Sequence, residues 1–165
     1  MARLEQTPSR RERHRLAVLG ALVLAGACLV VLGELPARAD QRSAQEFLLV
    51  VHRTNPASEV TPELVAEAFL KKTTRWGNGE TIRPVDLPPD SAIRRRFSAS
   101  VLKRSVAAVR SYWQQRIFTG RDVPPPELDS DEAVVRYVAK YEGAIGYVAP
   151  GAKVGDVKVL SLRAK

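Results

Sequence analysis

The segment Asp90–Arg94 is the stretch of the sequence whose residue types and order suit the binding of an anion. Two prolines precede it, and Ser91 is a residue type that caps helices, so a helix is predicted to start here. A helix start presents unpaired backbone N–H groups and a partial positive charge, and a serine hydroxyl adds a donor. One of the three arginines at positions 94–96 then supplies a guanidinium that can grip an oxyanion. The alternative interpretation is a simple cap followed by a solvated basic face.

Catalytic and metal chemistry find little support in the other polar residues. The two histidines, His14 and His52, are far apart, and the single Cys28 excludes a disulfide framework and a Cys-rich zinc module. His52 ends a predicted strand without a neighbour that suggests a triad, so we interpret it as structural. Four carboxylates surround a predicted helix start, where they complement the helix dipole; they are Glu127, Asp129, Asp131 and Glu132. With no glycine-rich phosphate loop either, we expect no enzyme, metal site or cofactor.

The first 39 residues are typical of a secretory signal peptide. Five arginines lie among residues 1–15, Leu16–Gly33 carries no charge, and Ala37-Arg38-Ala39 is a small-x-small cleavage pattern. Cleavage after Ala39 is the expectation, and an uncleaved membrane anchor and a lipid on Cys28 are the alternatives. In each case the arginines stay on the cytoplasmic side and the folded part, residues 40–165, is exported to the periplasm.

Removal of the leader changes the charge of the chain. The 165 residues carry a net charge of +8, whereas residues 40–165 hold 20 basic and 15 acidic residues, a net charge of +5. Much of the basic character therefore belongs to the targeting segment, which weakens a nucleic-acid-binding interpretation. The moderate charge that remains suits an anionic ligand or an ordinary soluble surface.

The exported part is predicted to alternate strands with helices in one α/β domain. Strands are predicted at Glu46–His52, which reads as buried on both faces, at Thr81–Val85, and near 144–148 and 157–160. Pro84 places the second of these near a sheet edge. Helices are predicted to begin at Thr61, Ser91, Ser105 and Ser130.

Apolar residues at helical spacing indicate which helix faces turn inward. The helix after Ser105 carries Val106, Val109, Trp113 and Ile117, and the one after Ser130 carries Val134, Val138 and Tyr141. We therefore expect Trp113 to be a buried structural residue rather than one that stacks on a ligand. Gly143 is the predicted stop of the last helix.

Several motifs occur in an order that resembles the phosphate-binding component of phosphate ABC transporters, a two-lobed periplasmic binding protein. The segment Phe69–Gly79 is similar to the helix end, Trp and turn of that family. Ser91 and Arg94 fall where the family has Ser-Gly-Thr-Arg at a phosphate-facing helix start. Tyr112-Trp113 and the segment 117–120 also match its pattern, and Gly143–Val148 contains Gly-Ala-Ile-Gly-Tyr, the most specific piece.

The resemblance covers residues 47–160 and implies both a fold and a function. The fold is one lobe of a periplasmic-binding-protein-like α/β structure, a mixed sheet flanked by helices. The implied ligand is phosphate or a similar inorganic oxyanion, and the implied site residues are Ser91, Ala92, Ile93 and Arg94. The implied partner is the membrane component of an ABC transporter, with no nucleic acid and no cofactor.

The sequence also departs from the family pattern. Lys71 replaces the usual Gly, and Ala92-Ile93 replace Gly-Thr, which removes one hydroxyl donor. A full binding protein of this family is about twice as long and encloses its ligand between two lobes, and enclosure is what strengthens such sites. The alternative function is therefore a non-transport periplasmic interaction domain that keeps the fold and has lost ligand binding.

Overall fold

The computed structural model describes residues 46–163. The predicted leader, residues 1–39 with Cys28, lies outside the described residues. The strands are β1 (Leu48–Val51), β2 (Glu59–Val60), β3 (Arg83–Pro84), β4 (Ala144–Val148) and β5 (Lys158–Leu162). The helices are α1 (Pro62–Phe69), α2 (Ala92–Ser100), α3 (Val106–Phe118) and α4 (Asp131–Lys140).

The five strands form one mixed sheet in the order β2-β5-β1-β4-β3. The central strand β1 pairs antiparallel with both β4 and β5, whereas the outer pairs β3–β4 and β2–β5 are parallel. Three of the four β1 residues are buried, as its apolar run predicts. The strand that contains Pro84 lies at a sheet edge, which confirms that expectation. The two-residue strand β2 was not predicted, because two residues leave no periodic pattern to detect.

All four helices begin at the predicted cap residues. In each case a side-chain hydroxyl accepts a hydrogen bond from the backbone N–H three residues later, at 3.1–3.3 Å. The pairs are Thr61 with Leu64, Ser91 with Arg94, Ser105 with Ala108, and Ser130 with Ala133. Each bond satisfies one of the donors that a helix start leaves unpaired, so the sequence specifies these boundaries locally.

An aromatic cluster occupies the core where α1, α2 and β4 meet. Phe97 stacks on Tyr147 with 3.9 Å between the ring centroids, and Phe69 and Phe47 lie at 4.7 and 5.3 Å from Phe97. Trp113 is 5% exposed, as predicted. The buried core residues found within residues 46–163 all fall between 47 and 160, and Arg42–Lys165 forms one compact unit.

Two residues predicted to point inward do not. Ile117 is 53% exposed, because the last turn of α3 extends past the core that holds Val109 and Trp113. Tyr141 is 37% exposed, since α4 ends at Lys140 and the extended backbone of residue 141 breaks the helical spacing. Its ring lies instead 4.6 Å from the ring of Tyr137.

The glycines of the segment 143–148 are packing residues. Gly143 has a φ of +72°, and a Cβ there would lie 2.1 Å from the carbonyl oxygen of Thr81. A Cβ on Gly146 would lie 2.6 Å from a methyl carbon of Val134 on α4. Only glycine allows this close approach of strand, loop and helix. The motif that carries the strongest resemblance therefore fixes how β4 packs in the domain.

Candidate functional site

The start of α2 presents three hydrogen-bond donors toward solvent. The Ser91 hydroxyl accepts from the Arg94 N–H at 3.3 Å, which leaves its own hydrogen free to donate. The N–H groups of Ala92 and Ile93 have no acceptor among residues 46–163. Ala92 is exposed and Ser91 and Ile93 are partly exposed, and the first turn of α2 contains no acidic residue. The helix itself therefore supplies no carboxylate that would offset the partial positive charge of its start, although the exposed Asp90 directly precedes the cap.

The Arg94 side chain turns away from solvent into the domain and is 5% exposed. Its Nη2 lies 3.0 Å from Oδ2 of Asp86, and its Nη1 lies 2.7 Å from Oε1 of Glu127. Nη1 also donates to the carbonyl oxygen of Leu87. The capping interpretation expected Arg94 to lie on a solvated basic face. That expectation is wrong, because the guanidinium is buried and contacts two carboxylates and a carbonyl.

Asp86 is the centre of this buried cluster. The Tyr147 hydroxyl and the Leu87 N–H both donate to its Oδ1, the latter at 3.0 Å. Burial raises the pKa of the Asp86 carboxyl, because the loss of hydration outweighs the opposing effect of Arg94. Burial together with the Asp86 carboxylate likewise raises the pKa of the Tyr147 hydroxyl.

Backbone pairing places Glu127 beside Arg94. The Asp86 N–H donates to the Pro126 carbonyl and the Leu128 N–H donates to the Asp86 carbonyl, both at 2.9 Å. These bonds hold the segment that follows the three prolines alongside residue 86, so the Glu127 carboxylate reaches α2 across 33 positions of sequence. The prediction that Glu127 complements the dipole of the next helix is wrong, because its oxygen pairs with Arg94.

Asp131 and Glu132 lie in the first turn of α4, as predicted. The Glu132 N–H and the Ser130 hydroxyl lower the pKa of the Glu132 carboxyl there, while Asp131 also accepts from the Ala149 N–H at 3.1 Å. The His52 ring is buried and its Nδ1 lies 2.8 Å from the Thr54 hydroxyl, which fits a structural role.

Sequence reasoning found the donors at the start of α2 and missed the cluster behind them. Asp86, Glu127 and Tyr147 were not associated with Arg94, since their contacts depend on strand pairing and on the loop that follows residue 123. A signal was nevertheless present, because Asp86 sits in an otherwise apolar run directly before a predicted helix start. A buried carboxylate needs a cationic partner nearby.

Comparison with solved structures shows the fold of this domain. A protein described as a phosphate ABC transporter substrate-binding protein from Clostridium perfringens, with bound phosphate, matches at 19% identity and a TM-score of 0.56, over 70% of this chain and 44% of that one. An ABC-type phosphate transport receptor from Vibrio cholerae matches at 18% identity and a TM-score of 0.57, over 73% and 47% of the two chains. PstS from Borrelia burgdorferi matches at 10% identity and a TM-score of 0.56, over 73% and 48%.

The predicted fold, a mixed α/β structure similar to that of phosphate-binding transport proteins, is thereby confirmed. The chain spans less than half of the length of these solved proteins. No protein-family model and no curated protein matches the sequence.

Proposed function

We propose that residues 40–165 form an exported, single-lobed solute-binding domain that binds phosphate or a related oxyanion at the start of α2, in connection with phosphate ABC transport. The observation that carries this proposal is the set of three outward donors, the Ser91 hydroxyl and the N–H groups of Ala92 and Ile93. Such a set at a helix start binds tetrahedral anions in many proteins. The shared fold supports the choice, because one of the similar structures holds phosphate.

In this proposal Arg94 supports the site from behind. Its backbone N–H fixes the Ser91 hydroxyl, while its guanidinium stays with Asp86 and Glu127. The two carboxylates offset the guanidinium charge, so the anion depends mainly on the helix-start donors. Because the ligand is enclosed on one side only, we expect a dissociation constant in the millimolar range, which corresponds to a binding free energy of about 4 kcal/mol.

Export is proposed on the sequence pattern of residues 1–39. No helix within residues 46–163 combines the length and the apolar character that a membrane crossing requires. Mass spectrometry of the protein from the envelope fraction tests the proposal. A mature N-terminus at Asp40 is the expected result, and an intact Met1 in the soluble cytoplasmic fraction would contradict it.

The second candidate function is a non-transport interaction domain that no longer binds a ligand. The observation in its favour is the cancelled charge at Arg94, whose two terminal nitrogens already face carboxylates. An anion in the same place would meet Asp86 and Glu127 as like charges, which disfavours binding.

Phosphate titration by calorimetry separates the two functions. Ser91→Asp keeps a cap residue at the helix start and places a negative charge where the oxyanion is proposed to bind. We expect wild-type residues 40–165 to bind phosphate at millimolar concentration and Ser91→Asp to show no binding, with an unchanged melting temperature. Ser130→Asp is the matched control at the cap of α4 and keeps wild-type binding. If the wild type shows no heat with millimolar phosphate or sulfate at any salt concentration, the oxyanion site is contradicted and the interaction-domain function is favoured.

A second variant tests the backbone donors directly. Ala92→Pro removes one N–H at the first position of α2, where proline fits a helix, and the Ser91 ψ of 130° suits a following proline. Loss of one hydrogen bond to a charged ligand costs about 1.5–3 kcal/mol, so affinity should fall about 10- to 100-fold. Val106→Pro, the same change at the first position of α3, is the control, and an equal loss there would contradict the assigned site.

A further inference from the structure

Basic residues are concentrated in one part of the described domain. Residues 91–121, which span α2, α3 and their connection, contain eight basic and no acidic residues. The other described residues contain ten basic and fourteen acidic residues. The positive charge of the domain therefore belongs to this helix pair, while the remainder is net negative.

Six of the eight cations in this region are exposed. Arg94 is paired with two carboxylates, and Arg116 lies 3.7 Å from Asp122 and over the Tyr112 ring. The ion pairs found within residues 46–163 include none of the exposed six, which are Arg95, Arg96, Lys103, Arg104, Arg110 and Arg121. Ordinary soluble surfaces intersperse both signs of charge, so this region differs from a simple solvated face.

One complete face of α3 is open to solvent. We call this the α3 face, and its members, all exposed and at helical spacing, are Ala107, Arg110, Ser111, Gln114, Ile117 and Phe118. The helix is about 20 Å long and buries only Val109 and Trp113 on its opposite side. Phe118 is 92% exposed and Ile117 is 53% exposed, which leaves apolar side chains projecting from the last turn.

An open basic groove lies at the other end of the α3 face. It has a volume of about 610 Å³ between the end of α2 and the start of α3. Its lining residues are Arg95, Ala99, Lys103, Arg104, Ser105 and Val106. Three cations beside the start of a helix that has no acidic residue in its first turn create a positive potential suited to phosphate groups.

We propose that the α3 face and the basic groove together bind an anionic phospholipid surface. Surface-binding helices place aromatic and aliphatic side chains at the acyl boundary while flanking cations pair with headgroup phosphates. Phe118 and Ile117 supply the apolar contact, and Arg110 and the groove cations supply the charge. Binding of this kind holds the domain against the membrane and is independent of the oxyanion site, since it uses neither Ser91 nor the N–H groups beside it.

Vesicle flotation of residues 40–165 tests this surface. We expect binding to vesicles that contain phosphatidylglycerol, none to vesicles of phosphatidylcholine alone, and release by high salt. Lys103→Gln combined with Arg110→Gln removes two surface cations, each worth roughly fivefold in affinity, so binding should weaken about 25-fold. Phe118→Ser should weaken binding without changing its salt dependence. Both variants change exposed residues, so their melting temperatures should match the wild type.

Controls separate this surface from net charge and from the oxyanion site. Lys153→Gln combined with Arg136→Gln removes the same number of positive charges from exposed positions outside residues 91–121 and should leave vesicle binding unchanged. Ser91→Asp should also bind vesicles like the wild type, even if phosphate titration fails. Equal binding to both vesicle types, an equal loss in the control pair, or no binding to phosphatidylglycerol vesicles would overturn the proposal.

Discussion

Helices α2 and α3 are consecutive and both carry arginines without any carboxylate, yet Arg94 of α2 and the exposed face of α3 use their side chains in opposite ways. On α2, Arg94 is 5% exposed and contacts two carboxylates and a carbonyl. On α3, Arg110 and the aromatic Phe118 face solvent. The first arrangement fixes the domain internally, whereas the second remains available to a partner. A basic helix is therefore not evidence of ligand binding until the partners of each cation are known.

The same contrast locates the proposed oxyanion site. The two terminal nitrogens of the Arg94 guanidinium, which its sequence position suggests as the anion-binding group, already face carboxylates, whereas the N–H groups of Ala92 and Ile93 have no acceptor within residues 46–163. In the proposed site the contributing groups are accordingly the hydroxyl of the cap residue Ser91 and the backbone N–H groups of Ala92 and Ile93. This contrast can be tested by comparing a substitution at a buried position with a substitution at an exposed position of the same helix.

The largest effect is expected within α3. Trp113→Ala removes a side chain that is 5% exposed and should lower the free energy of unfolding by about 3–5 kcal/mol. Phe118→Ala, on the same helix at 92% exposure, should change it by less than about 0.5 kcal/mol. Denaturant unfolding of both variants measures the difference. Similar losses of stability for the two variants would contradict the assignment of Trp113 to the buried side of α3 and of Phe118 to its exposed side.

The next effect compares neighbouring arginines of α2. Arg94→Ala leaves Asp86 buried without its cation and should lower the free energy of unfolding by about 3 kcal/mol. This value is at the lower end for a broken buried ion pair, because the second partner, Glu127, is half exposed. Arg95→Ala changes an exposed side chain and should cost less than about 0.5 kcal/mol. Thermal and denaturant unfolding measure both, and a wild-type stability for Arg94→Ala would refute the structural role of the cluster.

A smaller effect tests the glycine that packs β4. Gly146→Ala places a methyl group 2.6 Å from a carbon of Val134 and 3.0 Å from one of Val85, and such overpacking costs about 1–3 kcal/mol. Gly151→Ala is the control, since a Cβ at that position would have no neighbouring atom within 4 Å. Unchanged melting of Gly146→Ala would mean that β4 and α4 pack less closely than described.

The smallest effect concerns pH and compares two aspartates. The raised pKa of Asp86 means that its contribution to stability is complete below the ordinary value of 3.8 and is lost as the pH rises through the raised pKa. Desolvation, the largest single influence on Asp122, opposes a lower pKa, but the Val123 N–H, the Lys71 ammonium and Arg116 together outweigh it and lower the pKa of Asp122. The contribution of Asp122 to stability is therefore lost as the pH falls. Carboxyl NMR titration should find Asp86 titrating above Asp122, and the reverse order would contradict the buried cluster.

Local chemistry explains which parts of the structure the sequence could predict. The cap residues, the central buried strand and the edge position of Pro84 depend on neighbours within a few positions, and each was predicted correctly. Ile117 was placed wrongly because helical spacing does not tell where the core ends along the helix axis.

The Arg94 cluster could not be predicted in the same way. Its partner Glu127 is 33 positions away, and only the backbone pairing of residue 86 with residues 126 and 128 brings the two together. The donors of the candidate site were predictable because a helix start is local. Their separation from the Arg94 guanidinium was not, since it depends on tertiary contacts.

Amide chemical shifts under phosphate titration test the central claim most directly. In isotope-labelled residues 40–165, phosphate should shift the amide signals of Ala92 and Ile93 with one saturating curve in the millimolar range, with ionic strength held constant by chloride. Those signals should not respond in Ser91→Asp, whereas Ser130→Asp should behave like the wild type. Unmoved Ala92 and Ile93 amides, or shifts confined to other parts of the domain, would contradict the assignment of the start of α2 as the oxyanion site.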